Sequence, residues 1–125
     1  MNKIVHISKM RVVVAGSRDL VDQSIVERAI QDSGFEITEL LSGACPMGVD
    51  AAAEKWAKAN GIRIVRFPAN WGKYGKAAGP IRNALMADIA EAGIVIMKFG
   101  GTPGSMNMIR ELQSKNVKNV YIKLV

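Results

Sequence analysis

The sequence is poor in the residues that cross-link or metallate small proteins. It has one cysteine and one histidine in 125 residues, which excludes an internal disulfide framework and leaves no zinc-site spacing. No cofactor and no metal is expected. No apolar run approaches the ~20 residues of a membrane helix, and the lysine-bearing N-terminus lacks a signal-like apolar core. These absences point to a cytoplasmic protein without membrane attachment. Low-complexity and disorder-prone tracts are missing too.

What remains is an ordinary globular profile, 49% hydrophobic and 22% charged, enough for one domain with a single core. The +6 charge is unevenly placed. Up to Ala69 there are nine Lys/Arg against eight Asp/Glu, and from Asn70 onward eight against three, so the C-terminal half carries +5. That asymmetry favours an anionic partner, a phosphorylated small molecule or nucleic acid, over a merely solvated basic face.

The most informative stretch is Lys98-Phe99-Gly100-Gly101-Thr102-Pro103-Gly104-Ser105. It joins the apolar run Ile94 to Met97, which reads as a buried parallel strand, to a helical pattern beginning near Ser105. Glycines allow backbone N–H groups to approach a ligand, and a helix N-terminus offers unpaired donors to an anion. The expected occupant is a phosphate, cradled by the amides of Gly100 to Ser105 with the Thr102 and Ser105 hydroxyls adding donors. A ligand-free strand-to-helix turn is the alternative.

In chain order, residues 1–9 form an N-terminal extension, in which Ile4, Val5 and Ile7 suit a short edge strand and His6 has no assigned chemistry. Met10 to Ala15 reads as the first core strand, closing on Gly16-Ser17-Arg18-Asp19. A helix follows with Val21, Ile25, Val26, Ala29 and Ile30 on one face and Gly34 as its stop. Ile37 to Leu41 is a strand leading into the Ser42 to Asp50 turn. The next helix buries Val49, Ala52, Ala53, Trp56 and Ala57, and Ile62 to Phe67 is a third strand. Pro68 to Gly79 reads as a long functional loop. The helix after it is expected to bury Ile81, Leu85 and Ile89 and to present Arg82 and Asn83 near its start. The last helix buries Met106, Ile109 and Leu112, and Val120 to Leu124 closes the count.

Five strands alternating with four helices predict an α/β domain over residues 10–125, a parallel sheet in the order 3-2-1-4-5 with helices on both faces. Strands one and four then flank a crevice at their C-terminal ends, where Gly16 to Arg18, the Gly43 to Asp50 turn, Arg82 with Asn83, and the Gly100 to Ser105 loop converge.

Six motifs in register resemble one group. They are Val14-Ala15-Gly16-Ser17-Arg18, Ser42 to Asp50 with Ala53, Trp56-Ala57, Phe67 to Trp71, Gly75 to Asn83 with Met86, and Phe99-Gly100-Gly101-Thr102. The chain from Met10 to Val125 resembles the SLOG superfamily, the Rossmann-like group named for the Smf/DprA and LOG proteins, and specifically its YspA-related branch of short bacterial and phage proteins. The resemblance implies a Rossmann-like three-layer sandwich and a nucleotide-related ligand in the crevice. LOG enzymes hydrolyse nucleoside monophosphates with a loop reading Pro-Gly-Gly-x-Gly-Thr-x-x-Glu and an arginine in an Arg-x-x-x-Met context. Arg82 to Met86 keeps that spacing, but Met108 fills the acidic position. A thioether neither accepts a proton nor stabilises an oxocarbenium ion, so the LOG reaction loses its carboxylate.

The other acids and nucleophiles each have two readings. Asp50, at the start of a helix, is a catalytic candidate or a helix-dipole partner. Asp19 is a weaker candidate, or a turn residue. Cys45 has no histidine to activate it. Arg82 is the expected phosphate clamp and also a catalytic candidate. Ser17 and Arg18 are expected at ribose or phosphate, and Asn83 at the base or a ribose hydroxyl. Trp71 and Tyr74, with Lys73 and Lys76, form a stacking lid or a hydrophobic plug. Three functions follow in order: a nucleotide-binding sensor or sequestering domain without turnover, an N-glycosidic or phosphoester hydrolase using Asp50 or Asp19, and single-stranded nucleic-acid binding like that of DNA-processing protein A. Related domains pair through helices flanking the site, so a homo-oligomer is expected.

Overall fold

The computed structural model describes residues 9–125. The expectations for Ile4, Val5, Ile7 and His6 lie outside them. In chain order the elements are β1 (Lys9–Gly16), α1 (Gln23–Ser33), β2 (Glu36–Ser42), α2 (Val49–Ala59), β3 (Arg63–Arg66), α3 (Trp71–Tyr74), α4 (Ala78–Ile89), β4 (Ala92–Met97), α5 (Pro103–Ser114) and β5 (Asn119–Leu124), with one 3-10 turn at Gly75–Ala77. The sheet is parallel throughout, in the order β3-β2-β1-β4-β5. The fold is therefore a Rossmann-like α/β sandwich, with the order expected from the sequence.

The central strands are apolar on both faces because helices cover both. Val12, Val13 and Val14 are fully buried, as are Ile94, Val95 and Ile96. Val12, Val14, Ile94 and Ile96 pack with α1 and α2, through residues such as Val26, Ile30, Ala53 and Ala57. Val13, Val95 and Met97 pack on the opposite side with Met86 and Ala87 of α4 and Met108, Ile109 and Leu112 of α5. Local chemistry sets the helix ends. Asp22 caps α1, its carboxylate accepting from the Ser24 amide at 3.0 Å, and Gly34 ends the helix at φ 73°. Thr102 caps α5, with Pro103 in the first turn where its missing donor costs nothing.

The structure corrects four details. Pro68 to Gly79 is not one long loop, since α3 and the 3-10 turn fill most of it and run directly into α4. Asn70 nucleates this by accepting from the Lys73 amide at 3.0 Å. Val21 precedes α1 and is exposed, and Leu20 is buried instead. On α5 it is Met108, not Met106, that enters the core. The largest difference is on α4, where Ile81, Leu85 and Ile89 are exposed and Ala78, Gly79, Asn83, Met86 and Ala87 face inward. The helix is turned by about one residue, roughly 100°, from the face its bulkiest side chains suggest. This face packs mainly against α5, where hydrogen bonds to Asn107 and the Gly104 carbonyl satisfy Asn83.

Candidate functional site

Close backbone contacts build the rim of the crevice. A Cβ on Gly16 would collide with the Ile96 carbonyl oxygen, and one on Gly48, at φ 75°, with the Arg18 backbone. The start of α2 is thereby pressed onto the loop after β1, and the Val49 amide donates to the Ser17 carbonyl at 3.2 Å. Ser17 is 2% exposed and its hydroxyl accepts from the Lys98 amide at 3.4 Å, tying the ends of β1 and β4 together.

Above that rim lies a cleft of about 670 Å³, inside the range of small-molecule sites. Gly16, Arg18, Asp19, Gly43, Asp50, Trp71, Lys76, Arg82, Asn83, Thr102, Gly104 and Ser105 line it. Four separate stretches of sequence thus converge. Ser17, Gly100 and Gly101 do not line it. Gly100 (φ 96°) and Gly101 (φ 75°) instead turn the chain from β4 into α5, with the Gly101 amide donating to the Lys98 carbonyl at 2.8 Å. Cys45 faces a smaller cavity of about 310 Å³ beside Glu54 and Arg66.

Arg82 is held at two points. Nη1 donates to the Gly43 carbonyl at 2.6 Å and Nε to Asn83 Oδ1 at 2.9 Å. A guanidinium has five N–H groups, so three remain without a partner among the described residues. Burial lowers its pKa, and the opposing effect of Asp50 is smaller. Asp50 sits in the first turn of α2, 8% exposed, with Oδ2 accepting from the Cys45 amide at 3.1 Å. Burial pushes its carboxyl up to about 6, against the lowering effects of that hydrogen bond and of Arg82 and Arg18. The Arg18 guanidinium lies 5.8 Å from the Trp71 ring centroid, a cation–π distance. Asp19 is at the mouth, paired with Lys98 at 2.8 Å, and that hydrogen bond lowers its pKa.

The α5 end differs from a bare cradle. Thr102 Oγ1 accepts from the Ser105 amide at 3.3 Å and donates to Ser105 Oγ at 2.8 Å. Pro103 has no amide hydrogen, so Gly104 supplies the first-turn N–H. Asn83 is occupied at both ends, accepting from Arg82 and donating to Asn107 Oδ1 at 2.9 Å and the Gly104 carbonyl at 3.4 Å.

Sequence reasoning did not place Pro80, Asn107 and Arg110 on the cleft wall, where they lie beside Met108, which the resemblance puts at the acidic position. Gly104, Asn107, Met108 and Arg110 share helical spacing, and extending the glycine loop by that periodicity finds them. The cleft presents Arg18, Lys76, Arg82 and Arg110 against Asp50 and the already paired Asp19. Chemically it offers many donors and one carboxylate, that of Asp50, with no ion-pair partner among the described residues. Among the described residues, no cluster of three or more His, Cys, Asp or Glu could hold a metal, and no helix is long and apolar enough to cross a membrane.

No curated protein and no solved structure matches the chain. A family model does, over residues 10–74, from β1 through α3. It includes the β1 and β2 rims of the cleft and stops short of α4 and α5. That match takes in just over half of the sequence, and the chain belongs to the YspA, cpYpsA-related SLOG family.

Proposed function

We propose that the cleft binds a nucleotide or nucleotide-derived phosphorylated ligand, and that the protein works as a sensor or sequestering domain without turnover of its own. The observation that carries this is the fixed Arg82 guanidinium, anchored by Gly43 and Asn83 with three N–H groups to spare, on a wall shared with Arg18 and Lys76. Such a fork suits phosphate oxygens. Asp50 supplies the acceptor that a ribose hydroxyl needs. Membership of the SLOG group supports a nucleotide-related ligand, and the buried thioether of Met108 supports binding without hydrolysis of the LOG type.

Native mass spectrometry of the freshly purified protein tests the reading, with a bound mass matching a nucleotide derivative as the expected result. Calorimetry with a panel of nucleoside monophosphates complements it. Arg82→Ala is expected to weaken binding by about 1.5 to 3 kcal/mol, the range for hydrogen bonds to charged groups. Unchanged affinity in that variant sinks the reading.

One observation favours a second reading. Asp50 lines the cleft with a carboxyl raised to about 6, as a general acid requires. Release of free base or inorganic phosphate from a nucleotide, lost in Asp50→Asn, establishes a hydrolase in place of a sensor. A homo-oligomer is also proposed, on the exposed Ile81, Leu85 and Ile89 stripe of α4, whose opposite face carries Asn83 and Met86 of the cleft.

A further inference from the structure

The cleft contains a hydrogen-bond chain whose direction can be deduced rather than assumed. Arg82 carries only donors. Its Nε donates to Asn83 Oδ1 at 2.9 Å, so the Asn83 oxygen faces the Arg82 guanidinium and its amino group faces α5. That amino group meets Asn107 Oδ1 at 2.9 Å and the Gly104 carbonyl at 3.4 Å. Asn107 therefore spends its oxygen on Asn83 and is left with its amino group, which has no partner among the described residues. Flipping either amide sets donor against donor. Asn83 is 6% exposed, so solvent does not soften the constraint.

The chain thus ends in a donor on the cleft wall. Arg110 lies three residues further along α5, on the same helical face and lining the same cleft. We propose that Asn107, held amino group outward by Asn83, binds together with Arg110 a second phosphoryl group of the ligand, apart from the one at Arg82. The Asn83 side chain stands between Arg82 and Asn107, which separates the two anion positions. A neutral carbonyl on the ligand would use the amide and leave the guanidinium unmatched; a phosphoryl group uses both. The ligand class narrows accordingly to nucleoside diphosphates or bisphosphates rather than monophosphates. This rests on the nucleotide reading of the cleft.

Calorimetry with AMP, ADP and adenosine 3′,5′-bisphosphate tests it on the full chain. The expected result is that at least one two-phosphate ligand binds about tenfold or more tightly than AMP, the scale of one charge-assisted hydrogen bond. Asn107→Asp keeps the oxygen that Asn83 needs and replaces the outward donor with a charged acceptor. In that variant the advantage over AMP is expected to collapse. Arg110→Gln, at an exposed position, must shrink the same ratio even if the Asn107 variant folds poorly. If AMP binds as tightly as both two-phosphate ligands, or if the ratio survives in these variants, the second phosphoryl position is wrong while the nucleotide site stands. Failure of all three, and of the guanosine, cytidine and uridine counterparts, to bind overturns the nucleotide reading and this inference with it.

Discussion

A methyl group on Gly43 would lie 2.5 Å from Arg82 Nη1 and 2.9 Å from Asp50 Oδ2. Both atoms are the ends of side chains, so the fold can yield but the guanidinium cannot keep its place. Gly43→Ala is therefore expected to cost less than ~1.5 kcal/mol of stability while weakening AMP binding about tenfold or more. Gly48→Ala is its contrast, because the new Cβ meets the Arg18 backbone and the residue sits at φ 75°. That variant is expected to lose more than ~2 kcal/mol in denaturant melts. If both variants unfold alike, Gly43 is structural. Asp50 gives a second residue-scale prediction. Its folded carboxyl is raised from 3.8 to about 6 by burial, so between those values the folded protein holds more protons than the unfolded chain. Stability then falls as pH rises from about 4 to about 6, by up to about 3 kcal/mol, and stays reduced above that. Asn at this position keeps an oxygen for the Cys45 amide without the buried charge. Melting temperatures of Asp50→Asn should be flat through this window and above wild type at pH 7.5; a parallel decline in both proteins would assign the effect elsewhere.

At the scale of elements, the strands and the glycine turn were legible in the sequence because burial on both faces demands unbroken β-branched runs, as in Val12 to Val14 and Ile94 to Ile96. The parallel sheet followed from the alternation of strands with helices; its order, which alternation alone leaves open, rests on a choice among the doubly wound topologies, and the structure has it. The orientation of α4 was not legible. Two stripes satisfy helical spacing there, Ile81/Leu85/Ile89 and Ala78/Asn83/Met86/Ala87, and hydrophobicity alone selects the first. What selects the second is packing of Met86 and Ala87 against α5 and the sheet and the bonds that Asn83 makes, both of which are tertiary. Asn107 escaped for the same reason, since its role depends on Asn83 being inward. The α3 segment looked like a loop because its four residues are too few to show a period. The solvent-facing stripe on α4 then calls for a partner, and a second copy of the chain packing helix to helix is the occupant we propose. Light scattering should find wild type as a dimer and Leu85→Glu, at a 52% exposed position, as a folded monomer. Wild type running as a monomer at high concentration removes the proposal.

Over the whole molecule, the excess of positive charge and the cleft have to be reconciled. The +5 half beginning at Asn70 includes Lys76, Arg82 and Arg110 on the cleft wall, but also Lys73, Lys118 and Lys123 away from it. A basic surface of this kind draws anions generally and does not distinguish a nucleotide from a strand of nucleic acid. We favour the nucleotide, because the anchored Arg82 guanidinium lies in a cleft of about 670 Å³ beside Asp50. Salt dependence separates the two. A ligand held in the cleft exchanges few counterions, so AMP affinity should fall less than about tenfold between 50 and 200 mM salt. A strand tracking the wider basic surface, with Trp71 and Tyr74 as stacking platforms, would make six or more phosphate contacts and lose about three hundredfold or more over the same range. Titrating a fluorescent twelve-nucleotide single strand alongside AMP decides between them. Tight, steeply salt-dependent binding of the strand, undiminished by saturating AMP, would replace the small-molecule reading with a nucleic-acid one. Weak binding of the strand, displaced by AMP, is the expected result, since both compete for the same Arg82 guanidinium.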